Sequence, residues 1–113
     1  MEPQANIVDA DIQSFAAEVI EASREQLVMV DFWADWCGPC KSLTPILEKL
    51  VAQYQGAVKL VKVDTEANQE MAAQFGIRSL PTVFFFKDGN PVDQFMGLQP
   101  EEAIRQILSL IHI

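Results

Sequence analysis

The architecture of this chain is decided by one stretch, LVMVDFWADWCGPCK, which covers residues 27–41. Its first seven residues, Leu27–Trp33, form a nearly continuous apolar run, which is typical of a β-strand buried on both faces. A motif with two cysteines follows within a few residues and opens the next predicted element, a helix over Gly38–Tyr54 that contains Pro45. The sequence therefore places a pair of thiols where a buried strand passes into a helix.

Outside that stretch, predicted strands and helices alternate. The early alternation predicts parallel strands joined by crossover helices, whereas Asp88-Gly89 predicts an antiparallel hairpin. We therefore expect an α/β sandwich with a mixed central sheet. The expected elements are a short apolar start at Ile7 and Val8, helices over residues 10–24, 38–54, 65–75 and 100–111, and strands over residues 27–33, 58–63, 82–86 and 92–96. Apolar stripes predict buried faces at Ile12, Phe15, Val19 and Ile20 and at Ile104, Ile107, Leu108 and Ile111.

Length, composition and charge exclude several classes of protein. The 113 residues fit a single domain over residues 1–113, and a hydrophobic content of 50% is too high for intrinsic disorder. A net charge of −8 argues against nucleic acid or an anionic membrane surface as a partner. No apolar run approaches the roughly 18 residues of a membrane span. The acidic first 25 residues do not resemble a secretory signal, so we expect a cytoplasmic protein, in which cysteines are more often chemical than structural.

Cys37-Gly38-Pro39-Cys40 is the candidate active site. The N-terminus of a helix stabilises a thiolate, which predicts Cys37 as an exposed nucleophile and Cys40, one turn further in, as a buried resolving thiol. A structural disulfide is a weaker alternative, because so small a loop stabilises little. A zinc site would need four ligands, and the remaining candidate is the distant His112, so we expect no metal. Inert buried thiols are the third alternative.

Two charged residues interrupt strands that are otherwise apolar. Asp31 lies within the run 27–33, which predicts a buried carboxyl group with a raised pKa that can accept the proton of a resolving thiol. Lys62 interrupts the run 58–63 and is a candidate partner for Asp31. The alternative for both residues is a solvated position at the edge of the sheet. Pro81 precedes a strand, and residue type alone favours a trans bond before it.

Residues 31–41, DFWADWCGPCK, resemble the active-site signature of the thioredoxin family nearly letter for letter, and residues 76–82, GIRSLPT, resemble the second signature of that family. The likeness runs from about Ile7 to Ile107. It implies the thioredoxin fold, a three-layer α/β/α sandwich, and a protein-disulfide reductase without cofactors other than a redox-active Cys37–Cys40 disulfide. It further implies roles for five residues: Cys37 as nucleophile, Cys40 as resolving thiol, Asp31 as proton acceptor, Lys62 as its partner, and Pro81 as a cis proline facing the cysteines.

The resemblance also implies a substrate surface and partners. The partners are protein disulfides and a reductase that donates electrons. Exposed apolar residues without a function are the alternative for Trp36 and Met96, although apolar residues beside a reactive thiol favour a binding patch. We call the implied surface the apolar rim, which consists of Trp36, Gly38, Pro39, Leu80, Pro81, Met96 and Gly97.

Three segments carry a narrower resemblance: LTPILE at 43–48, MAAQFG at 71–76 and GLQPEEAIR at 97–105. They are similar to the N-terminal domain of bacterial chaperedoxins, which join a thioredoxin domain to tetratricopeptide repeats and hold unfolded clients for refolding machinery. The repeats are absent from these residues, so the likeness implies either a domain excised from a longer protein or a free-standing member of the thioredoxin family. The first expected function is therefore reduction of protein disulfides. The alternative is a client-binding domain of a holdase or co-chaperone, with unfolded proteins and chaperone machinery as partners and secondary redox activity.

Overall fold

A mixed five-stranded sheet organises residues 6–111, the part of the chain that the computed structural model describes. The strands lie in the order β1-β3-β2-β4-β5. β1 and β2 both run parallel to β3, whereas β4 is antiparallel to β2 and to β5. This arrangement confirms the predicted mixed sheet. The strands are β1 Ile7–Asp9, β2 Leu27–Trp33, β3 Val58–Asp64, β4 Thr82–Lys87 and β5 Asn90–Met96.

Helices cover both faces of the sheet, and on each face they form an apolar cluster with the strands. One face carries α1 and α3, whose buried leucine and isoleucine side chains pack on Met29, Leu60 and Phe85. The opposite face carries α2 and an N-terminal helical segment, which pack on Val30, Val61 and Phe86. The helices are α1 Gly38–Tyr54, α2 Gln69–Gln74 and α3 Glu101–Leu110, and the N-terminal helical segment comprises a π-type turn over Ala16–Glu21 and a 3₁₀ turn over Ala22–Arg24. None of the helices in residues 6–111 has the length and apolar character that crossing a bilayer demands.

β2 is the central strand, and its side chains alternate between the two clusters. Leu27 and Met29 face α1 and α3, whereas Val28 and Val30 face the N-terminal helical segment. Because successive side chains of a strand point to opposite faces, Asp31 and Trp33 lie on the α1 side of the sheet. The strand thus delivers both residues to the face on which the cysteine-bearing helix packs.

The first helix is shorter than the predicted 10–24, and Ile12 is not part of its buried face. The carboxylate of Asp11 accepts hydrogen bonds from the backbone N–H groups of Gln13 and Ser14, both at 3.0 Å. These two bonds cap the first helical turn. Ile12, the residue after Asp11, therefore lies at the exposed end of the helix, and its side chain is 50% exposed. The rest of the predicted stripe is confirmed, because Phe15, Val19 and Ile20 all pack in the cluster.

The helix predicted over residues 65–75 begins four residues later, at Gln69. Asp64 causes the delay: its carboxylate accepts from the backbone of Glu66 at 2.9 Å, and its carbonyl oxygen accepts from the backbone and side chain of Asn68, both at 3.0 Å. These bonds form a turn that precedes the helix.

The hairpin predicted at Asp88-Gly89 is confirmed. Both residues have positive φ angles, 54° and 84°, as the tight turn between β4 and β5 requires. β5 begins at Asn90, two residues before the predicted start at Val92. The last helix matches its prediction within one residue at each end, and Ile104 and Leu108 are fully buried on it.

Candidate active site

The two cysteines lie at the first turn of α1, directly after the central strand. Cys37 occupies the N-cap position with an extended backbone, and its Sγ accepts a hydrogen bond from the backbone N–H of Cys40 at 3.1 Å. Pro39 lies in the first turn, where a backbone N–H would have no partner within the helix, so the N–H that proline lacks costs no hydrogen bond. A disulfide joins Cys37 to Cys40, with the Cα atoms 5.3 Å apart. Both sulfurs therefore lie at the positive end of the helix.

The disulfide is covered rather than exposed. Cys37 is 4% exposed and Cys40 is 1% exposed, so the prediction of an exposed Cys37 is wrong for this oxidised form. The reason is local, because the Cys37 sulfur is both bonded to Cys40 and hydrogen-bonded against the first turn. The residues between and before the cysteines, Gly38, Pro39 and Trp36, are exposed.

Pro81 reaches the cysteine end of the sheet through the strand pairing. The Leu80–Pro81 peptide bond is cis, as the family resemblance implied. Thr82, the first residue of β4, pairs with Phe32 near the end of β2 and with Met96 at the end of β5. Pro81 is buried, and its carbonyl oxygen accepts from the N–H of Gly97 at 2.8 Å.

The residues of the apolar rim therefore meet at one edge of the sheet, where β2 and β5 end and β4 begins. Trp36 is 69% exposed and Met96 is 56% exposed, whereas Leu80 and Gly97 are half-buried. The indole N–H of Trp36 donates to Oε2 of Glu66 at 3.2 Å, which orients the ring. The sequence prediction omitted Leu98, which is 49% exposed; its position directly after Met96-Gly97 was the available signal.

Asp31 is completely buried, and neither of its carboxylate oxygens has a hydrogen-bond partner among the residues that the structure describes. Burial raises the pKa of this carboxyl group from 3.8 to about 7, although the positive charge of Lys62 lowers it in part. The predicted buried carboxyl group with a raised pKa is thus present, and the solvated alternative does not describe Asp31. The carboxyl group of Asp31 therefore gains and loses its proton near neutral pH.

Lys62 lies beside Asp31 in the sheet but forms no ion pair with it within residues 6–111. The two residues are direct neighbours in the β2–β3 pairing, and their interaction is coulombic. The Lys62 Nζ lies 5.4 Å from the centre of the Trp33 ring, in a cation–π contact. Lys62 is half-buried and lines an open cleft.

Trp33 is a site residue that the sequence prediction missed. Its indole Nε1 is buried and has no hydrogen-bond partner among the described residues. It lies two residues after Asp31 on the same face of β2, and this spacing was the available signal. The ring forms a wall of an open cleft of about 300 Å³ that links Cys40 to Lys62; the other lining residues are Asp35, Lys41, Thr44 and Pro45.

A metal centre is not built by the described residues. Within residues 6–111, no three or more histidine, cysteine, aspartate and glutamate side chains are placed to hold a metal ion together. His112, the remaining candidate ligand in the zinc alternative, lies outside the described residues. The cysteine pair is instead bonded to itself.

Comparison with known proteins identifies the same family along most of the chain. The thioredoxin family model matches residues 6–109. Curated proteins named thioredoxin from Staphylococcus aureus strains Mu50, MW2 and N315 are each 41% identical to this chain over 102 residues. The matched region is 90% of this chain and 91% of each relative. Together with the mixed sheet, these matches confirm the predicted thioredoxin fold.

Proposed function

Because this chain belongs to the thioredoxin family and is a thiol–disulfide oxidoreductase that reduces protein disulfides, we propose that Cys37 is its nucleophile and Cys40 its resolving thiol. The redox group is the disulfide of the chain itself, and a reductase donates the electrons. The observation that carries the assignment is the position of Cys37 as the N-cap of α1. There the helix end and the Cys40 N–H stabilise a thiolate.

In the first step, the Cys37 thiolate attacks one sulfur of a substrate disulfide. A bond forms between Cys37 Sγ and that sulfur, the substrate S–S bond breaks, and the second substrate sulfur leaves as a thiolate. The leaving thiolate takes a proton from solvent. The product is a mixed disulfide between the substrate and Cys37.

In the second step, the Cys40 thiolate attacks Cys37 Sγ and releases the reduced substrate. This step forms the Cys37–Cys40 disulfide that the structure contains. Cys40 must first lose its proton, and we assign Asp31 as the acceptor because its pKa of about 7 suits proton transfer at neutral pH. We assign Lys62 to the cleft that leads from solvent to Cys40, where its charge favours the ionised form of Asp31.

The apolar rim is the proposed binding surface for the substrate chain. The exposed side chains of Trp36 and Met96 offer apolar area, and Gly38 and Gly97 leave room for a backbone to approach. The proposed surface also includes Leu80, which is half-buried, and Pro81, which is buried. We place the reaction in the cytoplasm, where reductases keep cysteine pairs reduced.

Trapping of the mixed disulfide tests the two cysteine roles. Cys40→Ser should accumulate a covalent complex with a disulfide-containing protein such as insulin, because the first step proceeds and the second cannot. The matched variant Cys37→Ser should form much less complex and should reduce no insulin. Non-reducing mass spectrometry distinguishes the two. The assignment is wrong if Cys37→Ser traps the substrate and Cys40→Ser does not.

A second experiment tests Asp31 as the proton acceptor. Asp31→Asn should form the mixed disulfide at the rate of the unmodified protein but release the reduced substrate about tenfold or more slowly near pH 7. Asp35→Asn is the matched control, since Asp35 is an exposed aspartate that lines the same cleft. Rapid-quench single-turnover kinetics separate the two steps. Equal release rates in all three proteins would show that the proton goes elsewhere.

A second candidate function is supported by the exposed apolar side chains of Trp36, Met96 and Leu98. We propose, as the alternative, that this surface holds unfolded clients in the manner of a chaperedoxin domain, with redox activity secondary. A Cys37→Ser, Cys40→Ser double variant should then still suppress aggregation of a heat-denatured enzyme. Leu98→Ser should weaken suppression, whereas Leu110→Ser should not, although this leucine on α3 is the more exposed of the two, at 75% against 49%. Loss of suppression in the cysteine variant would contradict this alternative.

A further inference from the structure

Met96 is the exposed methionine of the described residues. Residues 6–111 contain three methionines, of which Met29 is fully buried and Met71 is 3% exposed. Met96 is 56% exposed. Oxidation of a thioether by a peroxide in water requires access to the sulfur, so exposure predicts which methionine reacts. In the described part of the chain, a peroxide should meet the Met96 side chain long before the other two.

Met96 lies within the apolar rim, at the cysteine end of the sheet. It ends β5 and pairs with Thr82, the residue after the cis proline, and the next residue, Gly97, donates a hydrogen bond to Pro81. A change of polarity at Met96 therefore occurs on the proposed binding surface itself. The cores of the fold, in which Met29 and Met71 take part, remain unaltered.

The neighbour of the Met96 sulfur is suited to an oxidised product. The Ser79 hydroxyl lies 3.6 Å from Met96 Sδ and donates to it. A thioether is a weak acceptor, whereas the oxygen of a sulfoxide is a strong one. The same hydroxyl is thus within reach of an oxygen added to this sulfur.

We propose that Met96 is a modification site, at which peroxide forms a sulfoxide that weakens the binding of protein disulfides and so lowers the activity. The inference rests on the proposed function of the apolar rim. In the reaction, the sulfur of Met96 attacks one oxygen of hydrogen peroxide, so that an S–O bond forms and the O–O bond breaks. The proton of the transferred hydroxyl passes to the leaving hydroxide, which departs as water. The sulfur loses two electrons and the peroxide gains them. A thiol-dependent methionine sulfoxide reductase reverses the change, taking the oxygen as water and leaving a disulfide.

The sulfoxide acts on binding because it replaces apolar surface by a polar, hydrated group. A substrate chain that covers Met96 must then remove water from the sulfoxide oxygen, which costs free energy unless the substrate donates a hydrogen bond. The cysteine chemistry itself is not altered by this change. The effect should therefore appear in KM for a protein substrate, with kcat little changed.

The test treats the protein with hydrogen peroxide in its disulfide form, in which neither cysteine is a free thiol. Peptide mass spectrometry should locate one added oxygen on the peptide that contains Met96, and Met29 and Met71 should remain unmodified. KM for insulin should rise about fivefold, and the rate with a small aromatic disulfide should change less than twofold. Treatment with methionine sulfoxide reductase should restore the original KM.

Two variants serve as controls, and each is compared with itself before and after peroxide. Met96→Leu, whatever its starting KM, should show no further change on treatment. Met71→Leu, a swap of similar volume at a buried methionine, should respond as the unmodified protein does. An active protein whose KM is unchanged with Met96 fully oxidised would overturn this inference alone. Equal losses with insulin and with the small disulfide would also overturn it, since the damage would then lie at the cysteines. Failure to reduce insulin before any treatment would overturn the proposed function as well.

Discussion

At the scale of single residues, the carboxyl group of Asp31 couples the site to the stability of the fold. Its pKa is about 7 in the folded protein, whereas its ordinary value is 3.8. Between those two pH values the folded protein holds a proton that the unfolded chain has released. The free energy of unfolding therefore falls as pH rises from about 4 to about 7 and stays low above that. At 1.36 kcal/mol for each pKa unit, the cost at neutral pH is at most about 4 kcal/mol.

Asp31→Asn should remove this cost, because an amide keeps the shape of the carboxyl group without its charge. We expect the variant to be more stable than the unmodified protein by about 2–4 kcal/mol near pH 8 and by much less near pH 4. Urea unfolding of the disulfide form at a series of pH values measures the difference. Asp35→Asn, at an exposed aspartate, should show a difference that is small at every pH. A gain that is equal at pH 4 and pH 8 would contradict the raised pKa.

The two thiols should differ in reactivity once the disulfide is reduced. Cys37 caps α1 and receives the N–H of Cys40, so its thiolate is stabilised, whereas Cys40 is the more deeply buried of the two. We expect Cys37 to be alkylated by limiting iodoacetamide at least about ten times faster than Cys40 near pH 7. Peptide mass spectrometry of the reduced protein gives the ratio. Equal labelling would argue against Cys37 as the nucleophile.

The site residues that the sequence predicted are those that break a pattern. Asp31 interrupts an apolar strand, and the cysteine pair opens a helix, so both can be recognised from the sequence alone. Trp33 continues the apolar run and gives no such sign, although it forms a wall of the cleft beside Cys40. Outside the site, the sequence also did not reveal the ion pair between Lys59 and the Glu18 carboxylate, at 2.6 Å, because the two residues lie 41 positions apart in the chain. Pairing over that distance is decided by the fold.

At the scale of elements, α3 shows how one helix divides its leucines between core and solvent. Leu108 is fully buried in the cluster beneath α1, whereas Leu110, two residues later, is 75% exposed. Residues two apart on a helix point in very different directions. The pair offers the same chemical change at two levels of burial.

Leu108→Ala should lower the free energy of unfolding by about 2–5 kcal/mol, because it leaves a cavity between α3 and the sheet. Leu110→Ala should change it by less than about 0.5 kcal/mol, because removing an exposed side chain leaves no cavity. The change in helix propensity, leucine to alanine, is the same in both variants. Denaturant unfolding of both proteins under one set of conditions provides the comparison. Similar losses for the two variants would show that α3 does not pack as described.

Elements with a strong periodic signal were predicted well, whereas the starts of two helices were not. The strand Leu27–Trp33 and the hairpin at Asp88-Gly89 follow from runs and turn residues that no distant contact opposes. The starts of the first helix and of α2 differ because Asp11 and Asp64 form local side-chain and backbone hydrogen bonds that delay each helix. Apolar spacing does not reveal whether an aspartate will form such a bond.

At the scale of the whole molecule, a net charge of −8 should influence which substrates arrive fastest. A substrate whose charge is opposite to that of the protein encounters it faster. Salt weakens this attraction, because charges are screened over roughly 10 Å at 0.1 M ionic strength. We expect a cationic disulfide peptide to be reduced several times faster at about 10 mM ionic strength than at about 150 mM. A neutral peptide with the same disulfide is the control and should show little change. Equal salt dependence for both peptides in stopped-flow reduction would contradict electrostatic steering.

The central place of β2 has a consequence for the motions of the molecule. β2 is hydrogen-bonded to β3 on one side and to β4 on the other, and residues 27–32 are all buried. Amide protons in such a strand exchange with deuterated solvent only when the whole fold opens, whereas β5 and the N-terminal helical segment exchange through smaller openings. Deuterium uptake should therefore be slowest in β2, and faster uptake there than in β5 would contradict this. The cysteines are thus attached to the part of the molecule that opens last, and their geometry persists while the periphery fluctuates.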